Sequence, residues 1–444
     1  MAFLRNTSYF VSRVLPRIRG IVHRGLKVSA RYEAPWLGAL FFVFLAASQK
    51  VNLGSSGSKR VIYIGSTTNV PDVRSISGLV PGVKFYVFER LMFRPVLEYF
   101  FSGQLPTESA YHHDKSTAES RARLNKFMDA LVSWIQKIWK VDGLITSNIG
   151  YIDQQAFIRS VRQTGGWSIV LFKEGFCHPE QFVTIYRELK RGQKGNCDRF
   201  LCAAKYVSVG FCRLAEEGNV DDLSEDLIRV TGIPRLDRYL MHSSKPEDLM
   251  LTCFTFDWEK KINVTQVTED QKNALNARVA ELYHWLLVFA EHHPSSTIVV
   301  KTKSAKDLAY RQVRSLLERK STYRKPIDNL ILTSDHEAED LVLRSRKLLS
   351  FSSTSLVEGL LNGKEIASPD FRDILRQPAW NIFEGFDDLV FYPQCYDSFE
   401  DWIKKDPLLS SSMLRRNEFV EKYFRNTDGR ASERVASEIS QLCH

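Results

Sequence analysis

Residues 347–371 read KLLSFSSTSLVEGLLNGKEIASPDF, and the order of residue types in this stretch decides the fold. The pattern predicts a strand that ends at Phe351, a short helix that Gly363 can close, and a second strand that begins near Ile366. Between the first strand and the helix lies a turn rich in hydroxyl groups, formed by Ser352, Ser353, Thr354 and Ser355. A strand, a helix and a strand in succession form the unit from which parallel sheets are built.

The same alternation runs along the rest of the 444 residues. Apolar strand patterns lie at 61–64, 83–88, 143–147, 168–172, 206–209, 227–231, 249–254, 297–301, 329–332 and 389–392, with helical patterns between many of them. At the front of the chain, 26–32 is predicted to be a short strand and 35–49 a buried helix. So many strands predict two doubly wound parallel sheets, with a boundary near 238–246.

Composition and charge narrow the function classes. Hydrophobic residues make up 44% and charged residues 25% of the chain, which excludes a largely disordered chain and a multi-span membrane protein. The net charge is +9, and seven of these charges come from residues 1–32, which contain no acidic residue. The remaining body is nearly neutral, which argues against nucleic acid as a partner. The seven cysteines form no C-x-x-C pair, so neither a zinc site nor a disulfide framework is indicated.

The basic start of the chain has the spacing of an amphipathic helix. Over residues 1–25, apolar side chains recur every three to four positions, with arginines on the other faces. Three explanations remain open: a helix that lies on an anionic membrane surface, a helix that packs on the protein's own body, and a mitochondrial transit peptide. The uncharged run 34–49 would span about 24 Å as a helix, short of the roughly 30 Å hydrocarbon core.

The hydroxyl-rich turn 352–355 is the strongest candidate for a ligand site. Ligands of open parallel sheets bind beyond the carboxyl ends of the strands, and the free N–H groups at a helix start suit a phosphate. Glu358 lies about one turn further on, where its carboxylate could accept hydrogen bonds from ribose hydroxyls. The alternative is that a serine or threonine only caps the helix.

Four segments, taken in order, resemble GT-B glycosyltransferases, especially those of bacterial surface-polysaccharide and lipopolysaccharide synthesis. SFSSTSLVEGLLNGKEIASPD (350–370) is similar to their nucleotide-binding strand, turn and helix, and VVKTKS (299–304) to a strand end that presents a basic residue to the nucleotide phosphates. RVTGIPRLDRY (229–239) resembles the segment that closes the first domain in those proteins, in glycerophosphate transferases and in sugar-nucleotide 2-epimerases. VLFKEGF (170–176) looks like a first-domain motif whose carboxylate acts as a base in sialyltransferase-like members.

The resemblance, which covers roughly residues 26–400, implies a fold and a division into domains. The fold is α/β, with two Rossmann-like, doubly wound parallel-sheet domains in a GT-B arrangement and a basic amphipathic helix before them. The expected parts are the basic segment 1–25, an acceptor-side domain 26–240, a nucleotide-donor-binding domain 241–407, and a helical segment 408–444 that packs back.

The resemblance also implies roles for single residues. Glu174 is the expected catalytic base, with His178 as the fallback, and the expected donor-binding groups are Lys301, Lys303, Ser352, Ser353, Thr354, Ser355, Glu358 and Arg235. A plainer interpretation stays open for each: Glu174 as an exposed loop carboxylate, the lysines as solvated strand ends, and Arg235 as a partner of Asp237. The chain departs from the sialyltransferase-like pattern at Lys173, which replaces the first residue of an acidic pair, and at Lys301 and Lys303, where those proteins carry His-Pro.

The implied function is transfer of a sugar, or a related phosphate-linked unit, from a nucleotide-activated donor to a glycan or lipid-linked acceptor. No Asp-x-Asp occurs in the chain, so no metal and no other cofactor is expected. The enzyme is expected in the cytoplasm at the inner membrane face, where residues 1–25 contact anionic lipid. Two alternatives stay open: a sugar-nucleotide 2-epimerase, which requires additional acid and base carboxylates, and a catalytically silent GT-B-like scaffold in a polysaccharide assembly complex.

Overall fold

The computed structural model describes residues 15–48, 57–66, 69–174, 177–241, 248–255, 267–303, 308–321, 327–351, 353–375, 382–405, 413–425 and 427–443. The chain divides into two compact units. Unit 1 comprises Met1–Gly175, Pro179–Arg235 and Tyr423–His444, and unit 2 comprises Phe176–His178 and Leu236–Lys422. Ser352 and residues 1–14 of the basic segment lie outside the described residues.

Unit 1 is a parallel sheet with helices along the chain between its strands. Its elements are α1 (Leu15–Arg31), α2 (Pro35–Ser48), β1 (Lys59–Gly65), α3 (Val70–Ser77), β2 (Val83–Glu89), α4 (Arg94–Phe100), α5 (Glu108–His113), α6 (Ala118–Trp139), β3 (Gly143–Thr146), α7 (Ile152–Gln163), β4 (Trp167–Phe172), α8 (Phe182–Lys190), β5 (Gln193–Lys194), β6 (Arg199–Cys202), α9 (Lys205–Glu216), β7 (Val220–Asp221) and β8 (Ile228–Val230). Six strands pair in the order β2-β1-β3-β4-β6-β8, all parallel, and β5 pairs with β7 apart from them.

Unit 2 repeats this architecture. Its elements are α10 (Asp237–Met241), β9 (Leu249–Phe254), α11 (Glu269–His292), β10 (Ile298–Lys301), α12 (Leu308–Ser321), β11 (Leu330–Thr333), α13 (Ala338–Arg344), β12 (Ser345–Leu349), α14 (Thr354–Leu361), β13 (Glu365–Ala367), β14 (Val390–Phe391) and α15 (Tyr396–Lys404). The strands pair in the order β11-β10-β9-β12-β13-β14, again all parallel. Two doubly wound parallel sheets were predicted from the strand and helix alternation, and the structure confirms them.

Burial explains why these segments form parallel strands. The last five residues of β4 and of β1 are buried, as are all four of β3, so each strand is apolar on both faces instead of alternating. Such runs are typical of parallel sheets covered by helices on both sides. The helices in turn bury one apolar face, as α6 does with Leu124, Leu131 and Ile135.

The last two helices are α16 (Met413–Phe424) and α17 (Ala431–Cys443). Apolar side chains of α17, including Val435 and Ile439, lie in the same buried cluster as Val61 and Phe85 of β1 and β2. Arg199 in β6 pairs with Glu438 of α17 at 3.0 Å. The end of the chain is therefore part of unit 1, whereas most of α16 belongs to unit 2.

Two predicted strands are wrong. Residues 26–31 belong to α1, because Val22, Leu26 and Ala30 follow one another at intervals of four and are all buried, while Val28 is exposed. The apparent two-residue alternation of that stretch was a helical face. Residues 206–209 likewise lie in α9, whose buried positions follow helical spacing, and the strand of that region is the preceding β6.

The run 35–49 is a helix, as predicted, from Pro35 to Ser48. Its burial is only partial, because Trp36, Leu40 and Phe44 are exposed. Within the part of the chain that the structure describes, no helix is long and apolar enough to cross a membrane. All seven cysteines are free thiols.

Candidate functional site

Each sheet reverses its strand order once, and ligands of open parallel sheets bind beyond the carboxyl ends of the strands at that reversal. In unit 1 the reversal lies between β1 and β3, and in unit 2 it lies between β9 and β12. Asn148 and Tyr151 follow β3, and Glu174 follows the neighbouring β4. The hydroxyl-rich turn follows β12. Glu174 and the hydroxyl-rich turn thus each lie at the carboxyl edge of their own unit's sheet.

Glu174 is held by two side chains from the segment that follows β3. Its Oε1 accepts a hydrogen bond from the Tyr151 hydroxyl at 2.6 Å, and its Oε2 accepts one from Asn148 Nδ2. The carboxylate is half-buried, so water or a ligand reaches it from one side. It is not the freely exposed loop carboxylate of the plainer interpretation.

Asn148 connects Glu174 to a buried lysine. Its side-chain oxygen accepts hydrogen bonds from Lys190 Nζ and from the Gly150 backbone N–H, each at 2.8 Å. Because Lys190 can only donate and the Glu174 carboxylate can only accept, the amide oxygen must face the lysine and the amide nitrogen the carboxylate. This amide fixes the relative positions of a cation and an anion at the edge of the sheet.

Two further charged groups interact with Glu174. Burial lowers the pKa of Lys190, which is 2% exposed, while Glu174 and Glu108 act to raise it. Burial also raises the pKa of Glu108, which lies at the start of α5, and the Glu174 charge adds to that effect, whereas Lys190 and Arg90 oppose it. We call Glu108, Asn148, Tyr151, Glu174 and Lys190 the Glu174 cluster.

Tyr151 acts in this cluster as a protonated donor. Burial, and then the nearby Glu174 charge, raise the pKa of its hydroxyl above the ordinary value. The Arg90 guanidinium lies 3.6 Å from the centre of the Tyr151 ring, which is a cation–π contact on the ring face. The cation–π contact with Arg90 thus positions the Tyr151 ring, while the Tyr151 hydroxyl donates its hydrogen bond to Glu174.

A buried carboxyl lies one turn into the same region. Burial raises the pKa of Asp153, in the first turn of α7, to about 6, although Arg90 and backbone N–H groups favour its ionised form. Its Oδ2 has no hydrogen-bond partner among the described residues. The edge of the sheet thus holds carboxyl groups whose environments differ, which is a feature of acid and base sites.

Lys173, the departure from the family pattern, has a structural partner. It lies 3.2 Å from Asp72, a carboxylate in α3 that is 1% exposed. Arg235 lies at the same distance from Asp72 through its guanidinium, and its backbone N–H also donates to that carboxylate at 3.2 Å. Burial alone would raise the pKa of Asp72, but the two cations outweigh burial and lower it.

These contacts give Lys173 and Arg235 a structural role that the sequence did not suggest. Both residues neutralise Asp72, so the buried carboxylate and the two cations stabilise one another within unit 1. Sequence reasoning gave Arg235 either a ligand or Asp237 as its partner, and Asp72 was not considered. His178, the fallback base, is half-buried in the short stretch of chain assigned to unit 2.

In unit 2 the two lysines at the carboxyl end of β10, Lys301 and Lys303, have different environments. Lys301 is half-buried, and its Nζ donates to the backbone oxygens of Thr302 at 2.6 Å and Ser334 at 2.8 Å. These carbonyls lie at the carboxyl ends of the paired strands β10 and β11, so the lysine places its positive charge at that edge. Lys303 is exposed.

The turn after β12 begins α14. Ser353 caps the helix, because its hydroxyl accepts a hydrogen bond from the Ser355 backbone N–H at 3.3 Å. Thr354 and Ser355 occupy the first turn and are half-buried. Capping of the helix therefore accounts for the Ser353 hydroxyl, but it does not involve the side-chain hydroxyls of Thr354 and Ser355.

Glu358 lies inside unit 2 with a partner from the segment that leads from unit 1 into unit 2. It is 6% exposed, and its carboxylate accepts a hydrogen bond from the Tyr239 hydroxyl at 3.1 Å. Asn362, one turn further along α14, donates to the Tyr239 backbone oxygen at 3.2 Å. The motif 229–239 therefore ends in Tyr239, whose hydrogen bonds connect α10 to α14, the helix predicted to bind the donor.

Within the described ranges, neither a deep pocket nor a metal cluster marks these residues. A surface groove of about 510 Å³ lies along α8 and α9, and its lining residues, among them Arg187 and Tyr206, include none of the predicted ones. The titratable groups at the strand ends, more than this shallow groove, indicate where chemistry can occur. Among the described residues no group of three or more His, Cys, Asp or Glu side chains could hold a metal ion.

Sequence reasoning missed most of the Glu174 cluster. Asn148 and Tyr151 carried a usable signal, because they directly follow a buried strand that neighbours β4. Lys190 and Glu108 carried none, since a lysine at a helix end and a glutamate at a helix start are ordinary surface residues. Only their burial in the folded chain distinguishes them.

No protein-family model and no curated protein matches the chain. Among solved structures the chain is similar to MnaA of S. aureus with UDP, at 12% identity, covering 87% of this chain and 97% of that one with a TM-score of 0.48. It is also similar to the Neisseria meningitidis UDP-GlcNAc 2-epimerase bound to UDP-GlcNAc, at 12% identity, 86% and 100% coverage and a TM-score of 0.48. A third is the wall teichoic acid polymerase TagF, at 11% identity, 96% and 98% coverage and a TM-score of 0.47. The three identities of 11% and 12% are too low to transfer an activity from those proteins to this chain.

Proposed function

We propose that this protein is a metal-independent glycosyltransferase. It would move a sugar, or a related phosphate-linked unit, from a nucleotide-activated donor to a glycan or lipid-linked acceptor in surface polysaccharide synthesis, such as capsule or lipopolysaccharide. In this proposal residues 1–25 bring the enzyme to the inner membrane face. The observation that carries it is the Glu174 carboxylate, oriented by Asn148 and Tyr151 at the carboxyl end of β4.

The reaction requires a base at the acceptor. The acceptor oxygen forms a bond to the anomeric carbon while its proton passes to Glu174, and the bond from that carbon to the donor phosphate breaks with its electron pair leaving on the phosphate. Two donors already hold the Glu174 carboxylate, so little reorganisation accompanies the proton transfer. The buried Lys190 keeps positive charge near a group that must be ionised to accept the proton.

The leaving phosphate requires positive charge. In unit 2 the start of α14 offers backbone N–H groups and the positive end of the helix dipole, together with the Thr354 and Ser355 hydroxyls. Lys301 contributes a cation at the neighbouring strand end. These groups favour one nucleotide phosphate over a polymer.

The 2-epimerase alternative rests on one observation. It needs a second carboxyl group beside the first, and Glu108 is a carboxyl whose pKa is raised by burial and by the Glu174 charge. A proton donor and a proton acceptor can be assigned to such a pair. Epimerisation of a free nucleotide sugar without an acceptor would select this alternative, and a chain that binds no nucleotide would indicate the scaffold.

Glu174→Gln tests the base. We expect this variant to bind the donor with unchanged affinity and to lose donor hydrolysis or transfer by at least a hundredfold, because glutamine cannot accept the proton. The matched control is Glu180→Gln, at an exposed position of the same segment, which should keep full activity. Equal turnover in the two variants would remove Glu174 as the base and direct attention to His178.

Donor binding is tested in unit 2. A thermal-shift screen of CMP, CDP, UDP and GDP conjugates identifies the nucleotide, since 100-fold excess over Kd stabilises the folded chain by about 2.7 kcal/mol. Ser353→Ala and Lys301→Ala should then weaken binding in calorimetry. Thr268→Ala, which removes the matching cap of α11, should cost similar stability and leave the affinity unchanged. Unchanged affinity in the first two variants refutes the phosphate site.

A further inference from the structure

The first two helices expose large apolar side chains on one part of unit 1. Six such side chains, 42% to 71% exposed, lie within residues 21–44: Ile21, Val28, Tyr32, Trp36, Leu40 and Phe44. We call these six residues the apolar face. A single exposed leucine needs no explanation, but a contiguous set of large aromatic and aliphatic side chains indicates a surface that something covers.

The exposed residues of α2 form a line along the helix. Trp36, Leu40 and Phe44 are separated by four positions each, which places them one above the other on the same side. The opposite side packs in the core, where the Phe42 ring stacks on Phe88 at 4.1 Å. α2 is therefore apolar on both sides, and its outer side exposes apolar surface to water.

α1 packs closely against α2 and also exposes apolar side chains. Gly25 lies so close to the Phe41 ring that an added Cβ would overlap it, and an added Cβ on Gly38 would come 2.7 Å from the Ser29 hydroxyl. Ser29 also donates to the Ala34 backbone oxygen at 2.7 Å and so closes the turn between the helices. The two helices are therefore tightly packed. The exposed positions 21 and 28 are seven residues apart on one side of α1, and Tyr32 follows in the turn after the helix.

Positive charge lies beside the apolar face. Arg24, Lys27 and Arg31 are exposed at intervals of three and four residues, so they form a second line along α1. Glu33 is the only acidic residue among the first 71, and Arg123 lies 2.7 Å from its carboxylate. An apolar line flanked by exposed cations is complementary to a surface that is negatively charged outside and apolar just beneath.

We propose that the apolar face enters the headgroup boundary of an anionic lipid bilayer, while Arg24, Lys27 and Arg31 contact lipid phosphates. The fourteen residues of α2 extend about 21 Å, which suits a helix lying along the interface. This contact is separate from residues 1–14, and it places the folded body of unit 1, not only its basic start, against the membrane. It extends the membrane contact that the proposed function assigns to residues 1–25, and it does not rest on the glycosyltransferase activity.

Cosedimentation of the full chain with vesicles tests this surface. The native chain should bind phosphatidylcholine vesicles that contain phosphatidylglycerol and bind pure phosphatidylcholine vesicles more weakly. Leu40→Gln with Phe44→Gln should weaken binding to the anionic vesicles about tenfold or more, because two large side chains no longer leave water. Arg24→Gln with Lys27→Gln should weaken it about fivefold per charge and remove most of its dependence on salt.

Matched controls separate this surface from general hydrophobicity and from the basic start. Val209→Gln with Leu414→Gln removes two apolar side chains that are equally exposed elsewhere, and it should bind like the native chain. Arg5→Gln with Arg13→Gln changes the charge of residues 1–14 alone. Because the four altered α1 and α2 residues are exposed, far-UV circular dichroism and Tm should not change in any of these variants.

Three results would overturn the proposal. The first is native binding by the Leu40→Gln, Phe44→Gln variant. The second is complete loss of binding in the Arg5→Gln, Arg13→Gln variant, which would assign the membrane contact to residues 1–14. The third is a native chain that dimerises without binding vesicles and becomes monomeric in the α2 variant, which would mean that a second copy covers the apolar face. Donor affinity and turnover are measured in parallel and should not respond to the α2 substitutions in solution.

Discussion

Replacing Asp72 by asparagine should destabilise unit 1 strongly. The Asp72 carboxylate is 1% exposed and accepts three hydrogen bonds of 3.2 Å each, from the Lys173 ammonium, the Arg235 guanidinium and the Arg235 backbone N–H. Asparagine keeps the shape but loses the charge, so the largely buried Lys173 and Arg235 lose their ion pairs with Asp72. Breaking a buried ion pair by removing one partner costs about 3 to 5 kcal/mol.

Hydrogen exchange can measure this loss of stability in unit 1 alone, whereas a global unfolding transition would combine the unfolding of both units. Amides of β1, such as those of Val61 and Ile64, exchange only when the sheet of unit 1 opens. A destabilisation of about 3 kcal/mol accelerates their exchange roughly a hundredfold, since each 1.4 kcal/mol is a factor of ten. Asp387→Asn, which breaks a half-exposed pair with Arg372 in unit 2, should change the stability of that unit by less than about 1 kcal/mol.

A double variant and a pH series distinguish charge from shape. Lys173→Gln added to Asp72→Asn should restore part of the lost stability, because one of the two buried cations that faced Asp72 is removed. The folded-state pKa of Asp72 is lowered, so its contribution is present above the ordinary pKa of 3.8 and is lost as pH falls through the lower folded value. The variant should therefore lack this acid-dependent loss. Exchange within threefold of the native chain, or a double variant less stable than the single one, would refute the reasoning.

Three other predictions follow from buried groups of unit 1. Phe42→Ala should lower the stability by about 3 to 5 kcal/mol, because the Phe42 ring contacts Phe88, Phe93 and Phe157. Phe44→Ala, at an exposed position of the same helix, should change the stability by less than about 0.5 kcal/mol. The Tm measured without lipid checks both variants. Tyr151→Phe should lower kcat about tenfold at unchanged KM, because a hydrogen bond to the Glu174 carboxylate is lost; a change in KM alone would contradict the positioning role. The folded-state pKa of Asp153 is raised to about 6, so its contribution to the stability of the fold is present below the ordinary pKa of 3.8, and about 2 to 3 kcal/mol of it is lost as pH rises to 6. Asp153→Asn should therefore be more stable than the native chain at pH 7.5 in thermal unfolding. An equal Tm would count against the buried carboxyl.

The local periodicity of apolar residues was sufficient to predict the architecture. It gave a wrong element only where the same residues fit both the strand period and the helix period. The strand, helix and strand of 347–371 were predicted from residue types and are found as β12, α14 and β13. The stretch 26–31 alternates apolar and polar residues, yet it is helical, because packing of Leu26 and Ala30 into the core outweighs the strand pattern. Residues 206–209 failed for the same reason.

The candidate site was accessible to sequence reasoning only in part. Ser353 could be chosen because it follows a strand, and that position depends on nearby residues, whereas Glu174 and Lys301 were chosen through the resemblance of their segments to GT-B glycosyltransferases. Lys190 and Glu108 could not, because their importance comes from burial beside Glu174. The Tyr239 contact to Glu358 joins positions 119 residues apart, and no pattern in either segment predicts it.

The sequence by itself determined the order of the elements, the two parallel sheets and the place of the basic charge, because each depends on residues within a few turns of one another. Tertiary structure alone decided which charges meet and which apolar side chains stay outside. Lys173 and Arg235 reach Asp72 across 101 and 163 residues, and Phe42 is buried while Phe44, two positions away, is exposed. The free energy of a buried charge or an apolar surface depends on what surrounds it in space, and the surroundings exist only once the chain has folded.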